Sequence, residues 1–89
     1  MINETLPVIN KLGLHARAAA KLVSTAQPFE CEIALERKGR TVNAKSIMGV
    51  MMLAASCGTT VNISLDGSDE TAAFDALKSL FKNRFGEES

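Results

Sequence analysis

Apolar and polar residues alternate or recur along the chain in ways that mark its elements. Leu6 and Val8 flank Pro7, so residues 2–8 read as a strand. Pro7 has no N–H for a ladder bond, which places that strand at a sheet edge. Residues 10–14 form a loop containing Gly13. Over residues 16–27, Ala19, Leu22, Val23 and Ala26 fall on one helical face, and Pro28 stops the run. Cys31, Ile33 and Leu35 alternate with Glu32, Ala34 and Glu36, giving a second strand with Cys31 in its core face. Lys38-Gly39 turns it into a short third strand over residues 40–43. Ser46 is a good N-cap for a short helix from Ile47 to about Leu53. Val61, Ile63 and Leu65 alternate with Thr60, Asn62 and Ser64, and Asp66-Gly67 turns the chain again. Ser68 is placed to cap a last helix, with Asp69 and Glu70 in its first turn. Phe74, Leu77, Leu80, Phe81 and Phe85 form its stripe, and Gly86 ends it.

The predicted order is β-α-β-β-α-β-α. A four-stranded sheet with its helices on one face is the economical packing, and the alternation requires a polar open face. At 89 residues there is room for one core, so residues 1–89 read as a single domain. Apolar residues make up 46%, too many for a disordered chain.

Ten basic and ten acidic residues cancel, so the chain lacks the basic excess of a nucleic-acid binder. The charges are unevenly spread, however. Residues 11–45 hold seven basic and three acidic residues, a net of +4, whereas residues 46–89 are net −3. A basic first half suits an acidic partner. No run approaches the ~20 apolar residues of a membrane span, so no membrane insertion is expected. The N-terminus lacks the charged and apolar regions of a signal peptide, which favours a cytoplasmic protein. Cys31 and Cys57 are expected to be reduced thiols. With one His they are too few for a zinc site, and neither metal nor cofactor is expected.

The stretch that bears chemistry is Gly13-Leu14-His15-Ala16-Arg17. His15, the lone histidine, stands at or near the N-cap of the first helix. The N–H groups of Ala16, Arg17 and Ala18 point outward there, with the positive end of the helix dipole. Arg17 adds a guanidinium, and such a place suits a phosphate. An imidazole is nucleophilic near neutral pH. Taken alone, a single histidine is a weak signal, and a surface residue with no role is the commoner reading.

The same stretch resembles the active-site motif of the HPr family, histidine-containing phosphocarriers of the bacterial phosphoenolpyruvate-dependent phosphotransferase system. Lys45-Ser46-Ile47-Met48-Gly49-Val50-Met51 resembles that family's regulatory-serine motif, at the family's usual separation. The resemblance implies an α+β fold of the open-faced sandwich type, with three helices on a four-stranded antiparallel sheet. It implies that enzyme I passes a phosphoryl group to Nδ1 of His15, which hands it to a histidine on an enzyme IIA domain, with Arg17 helping to hold the phosphate. It implies regulatory phosphorylation of Ser46 by an HPr kinase/phosphorylase. Such a chain is a carrier, not an enzyme in its own right, and a monomer is expected.

A short helix cannot bury Ile47, Met48, Met51 and Met52 together. Met48 and Met51, with Ile47, are therefore the expected docking patch beside His15, rimmed by Arg17, Lys21 and Lys45. Two positions depart from the family pattern. Ala18 stands where proline is usual and restores an N–H; Leu12 replaces a more usual small polar residue. Two other readings stay open: a purely regulatory, sugar-independent phosphorelay carrier, and a small α+β binding module with an idle histidine.

Overall fold

The computed structural model describes residues 1–87. Glu88 and Ser89, the end of the single domain expected over 1–89, lie outside the described residues. Four strands, β1 (Ile2–Pro7), β2 (Glu32–Arg37), β3 (Arg40–Asn43) and β4 (Thr60–Asp66), form one antiparallel sheet ordered β1-β4-β2-β3. Pro7 is therefore on an edge strand, as its missing N–H requires. Three helices, α1 (Ala16–Ala26), α2 (Ile47–Met52) and α3 (Glu70–Lys82), complete the β-α-β-β-α-β-α order.

Register follows the alternation. Leu6 opposes Val61, Ile33 opposes Leu65 and Leu35 opposes Ile63, so one sheet face is apolar and meets the helices. Leu22, Val23, Ala26, Val50, Leu77 and Phe81 pack onto it. The other face carries Thr5, Thr60, Asn62, Ser64 and Glu36 and stays open. Burial of this kind stabilises by about 1.5–3 kcal/mol for each large aliphatic side chain.

Cys31 is buried as expected but stands just before β2. Ser68 does not cap α3; the N-cap is Asp69. Its carboxylate turns away from its own helix and accepts the N–H groups of Glu30 (2.8 Å) and Cys31 (2.9 Å). Those two donors, Glu30 foremost, hold the Asp69 carboxyl below its ordinary range against the opposing effect of burial. The bonds tie the entry of α3 to the entry of β2, and that tie outweighs a local cap.

The end of α3 differs too. Phe85 does not lie on the helical stripe. The helix stops at Lys82, and Arg84 and Phe85 take left-handed backbone (φ +56° and +55°) in a short 3₁₀ turn closed by Gly86. The turn folds Phe85 back into the core, 4.8 Å from Phe81 between ring centroids. Ala73 joins Leu77 and Phe81 as the buried face, while Phe74 and Leu80 are half-buried at its flank.

Candidate functional site

His15 is the N-cap of α1, with extended backbone and no side-chain bond to its own helix. Its carbonyl accepts the N–H of Ala19 at 2.8 Å. The N–H groups of Ala16, Arg17 and Ala18 therefore stand ahead of the helical ladder, beside the imidazole. Ala16 and Arg17 are exposed; the Ala18 side chain is buried against the core. The Arg17 guanidinium makes no ion pair or hydrogen bond among the described residues, so it is available to an incoming anion.

Two glycine-dependent contacts set the loop before His15. Gly13 has φ +66°, and a Cβ there would lie 2.4 Å from the Ala55 carbonyl oxygen. That carbonyl accepts the N–H of Leu14 at 2.9 Å, so the segment after α2 props up the residue preceding His15. The same contact brings the end of α2, with Met51 and Met52, toward His15.

The structure adds two residues that the sequence did not point to. The Glu87 carboxylate meets His15: Oε2 is hydrogen-bonded to Nε2 of the half-buried ring. Oε1 of the same carboxylate accepts from Asn10 Nδ2 at 3.2 Å, and Asn10, fully buried, also donates to the Gly13 carbonyl at 2.7 Å. The hydrogen bond from His15 holds the Glu87 carboxyl below its ordinary range. Burial opposes this, and the Asn10 amide and the charge of Lys21 reinforce it. Glu87 is thus ionised and can only accept, so Nε2 carries the proton of that bond. Lys21 Nζ donates to the Phe85 carbonyl at 2.6 Å and latches the terminal turn onto α1. Seventy-two positions separate Glu87 from His15, and no local spacing signals the pair. Asn10, a polar residue three before a loop glycine, carries a weak turn signal.

Ser46 is the N-cap of α2, as the spacing predicts. Its Oγ accepts the N–H of Gly49 at 3.1 Å, and its carbonyl accepts that of Val50 at 3.0 Å. Ile47, Met48, Met51 and Met52 are all exposed, Met48 to 71%, and Leu12 joins them at 67%. Val50 alone anchors that helix in the core. The patch is thus wider than Ile47, Met48 and Met51. Of the expected basic rim, Arg17 and Lys21 lie on α1, where Lys21 Nζ donates to the Phe85 carbonyl, and Lys45 Nζ, just before α2, donates to the Phe29 carbonyl. No cluster of three or more metal-ligating side chains exists among the described residues, and no described helix is long and apolar enough to cross a membrane.

Comparison with known proteins places these features in a family. The PTS-HPr family model, described as "PTS HPr component phosphorylation site", matches residues 2–83. The phosphocarrier protein HPr of Xylella fastidiosa strain Temecula1 is 57% identical over 89 residues, covering all of both chains. The crystal structure of HPr-C-His from Thermoanaerobacter tengcongensis superposes with a TM-score of 0.95 at 47% identity, again over both whole chains. A structure titled as an HPr dimer from the same organism gives 0.78 at 47% identity, covering 98% of this chain and 100% of that one. With its open-faced fold, its lone histidine at the head of α1 and this full-length similarity, the chain belongs to the HPr family, the phosphocarriers of the phosphotransferase system.

Proposed function

We propose that His15 accepts a phosphoryl group on Nδ1 from phosphorylated enzyme I and passes it to a histidine of an enzyme IIA domain. The observation that carries this is the setting of the ring. Nε2 is engaged by Glu87, which leaves Nδ1 free at the head of α1, where the N–H groups of Ala16, Arg17 and Ala18 precede the helical ladder and the Arg17 guanidinium has no partner among the described residues. Phosphoryl transfer asks chiefly for positioning and charge stabilisation. Ala16, Arg17 and Ala18 supply main-chain donors, and the Arg17 side chain supplies charge. The rest of the catalytic surroundings comes from the partner, so the chain is a carrier and not an enzyme by itself.

Ile47, Met48 and Met51, with Met52 and Leu12, offer partners an apolar surface next to Arg17 and Lys21. We place the protein in the cytoplasm and take the monomer as its working state, because enzyme I and the IIA domain must in turn reach the one face around His15. The Thermoanaerobacter dimer makes sedimentation of the free chain the direct check on that state.

Ser46 is the proposed site of regulation by an HPr kinase/phosphorylase. A phosphate there adds about −1.5 to −2 charge at a helix N-terminus, where the fold tolerates it, yet it stands at the edge of the docking surface. Ser46→Asp is expected to slow phosphoryl uptake from enzyme I while leaving the unfolding free energy within about 0.5 kcal/mol of wild type. Equal uptake rates would remove the regulatory reading.

The whole proposal is tested by a relay: enzyme I, phosphoenolpyruvate, this chain and a IIA domain, followed by label arriving on the IIA histidine. His15→Ala is expected to stop the relay with the fold intact. A relay that runs with His15→Ala overturns it.

A further inference from the structure

We propose that the apolar patch on α2 is a redox switch: oxidation of Met48, Met51 and Met52 to their sulfoxides by a peroxide weakens partner docking and slows phosphoryl uptake, and reduction restores both. The inference rests on the carrier reading above and names a regulation of that same site. Three of the chain's four methionines fall in the segment 48–52. Met51 and Met52 stand three and four positions after Met48 on α2, so the three share one helical face. Met48 is 71% exposed, Met51 40% and Met52 56%, which leaves each thioether open to a small oxidant. Val50 is the buried residue of α2, so chemistry at the methionines alters the surface and spares the core. The Leu14 N–H bond to the Ala55 carbonyl, at 2.9 Å, ties the segment after α2 to the residue before His15. A partner seated over the ring with an interface of ordinary size, about 800 Å² a side, covers these side chains as well.

Thioethers give such a face apolar area and an adaptable shape, which suits a surface that fits several partners in turn. A sulfur lone pair attacks one oxygen of hydrogen peroxide, and the O–O bond breaks with its electron pair on the departing hydroxide. That hydroxide takes the proton of the transferred oxygen and leaves as water. Sulfur is oxidised by two electrons and the peroxide is reduced by two. The sulfoxide is polar, and burying it against an apolar partner leaves its oxygen without a donor. A dithiol reverses the change through a methionine sulfoxide reductase, giving the thioether, a disulfide and water. His15 and Arg17 are untouched, so the loss falls on docking and not on transfer. Cys57 is the other exposed sulfur, and Cys31 is buried. A disulfide at Cys57 yields to a dithiol alone, whereas a sulfoxide also needs the reductase, and this separates the two lesions.

The test uses the full chain carrying Cys57→Ser, treated with hydrogen peroxide, cleared of oxidant with catalase and only then given to phosphorylated enzyme I. Peptide mass spectrometry is expected to find one added oxygen on each of Met48, Met51 and Met52. KM for the chain is expected to rise about tenfold to a hundredfold, as when interface anchors are lost, with kcat within about twofold. The urea midpoint is expected to hold. Dithiothreitol alone is expected to leave the rise in place, and dithiothreitol with reductases for both sulfoxide epimers to remove it. Replacing all three methionines by leucine keeps the volume and removes the sulfur. Whatever the starting KM of that variant, peroxide is expected to leave it unchanged. The switch is overturned if the three residues gain no oxygen, if KM stays put once they have, if the reductases fail to reverse the rise, if the urea midpoint falls with it, or if the leucine variant shows an equal rise. Each of these leaves the carrier reading standing. A chain that takes up no label before peroxide overturns both.

Discussion

Phe85→Ala is expected to lower the unfolding free energy by about 3–5 kcal/mol, a large share of the 5–15 kcal/mol typical of a small domain. Phe85 has no exposed surface, packs its ring on Phe81 and sits in a turn with two non-glycine residues at positive φ. The backbone cost of that turn, about 1–3 kcal/mol per residue in such regions, is offset by burial of the ring. Without the ring nothing balances it, and the turn is expected to loosen. Lys21 holds the Phe85 carbonyl and Glu87 follows two residues on, so the damage should reach His15. Urea unfolding checks the stability, and phosphoryl uptake at low temperature checks the coupling. A loss below about 1 kcal/mol would show that the turn is not a core element.

Gly13→Ala is expected to cost about 2–4 kcal/mol, combining a left-handed alanine with a steric clash. The clash is with backbone: the added carbon would lie 2.4 Å from the Ala55 carbonyl oxygen and 2.9 Å from Ser56 Cα, and neither is the end of a flexible side chain. Relief requires the loop to move off Ala55, which breaks the Leu14 N–H bond to the same oxygen. His15 is the next residue, so phosphoryl uptake should fall along with the unfolding midpoint. Uptake and midpoint both at wild-type values would show that Gly13 is not needed for its conformation.

Much of this was legible in the residues because it depends on neighbours in sequence. Strand alternation sets the sheet faces, Pro7 marks the edge, and Ser46 and His15 stand one residue before apolar helical runs. The failures share a cause. Ser68 looked like a cap because local chemistry favours serine there, but Asp69 is recruited by N–H groups about forty positions earlier. Phe85 kept helical spacing from Phe81, yet the chain breaks to return the ring to the core. Glu87 reaches His15 across seventy-two positions, and charge patterning carries no trace of that contact. Tertiary partners outweigh local preference in each case.

The most direct measurement is mass spectrometry of the intact chain and its peptides after incubation with enzyme I and phosphoenolpyruvate. The expected result is one phosphoryl group on the peptide containing His15, lost in acid and kept in alkali, and absent from His15→Ala. A phosphoryl group on another residue, or none on the wild-type chain, would contradict His15 as the phosphoryl acceptor.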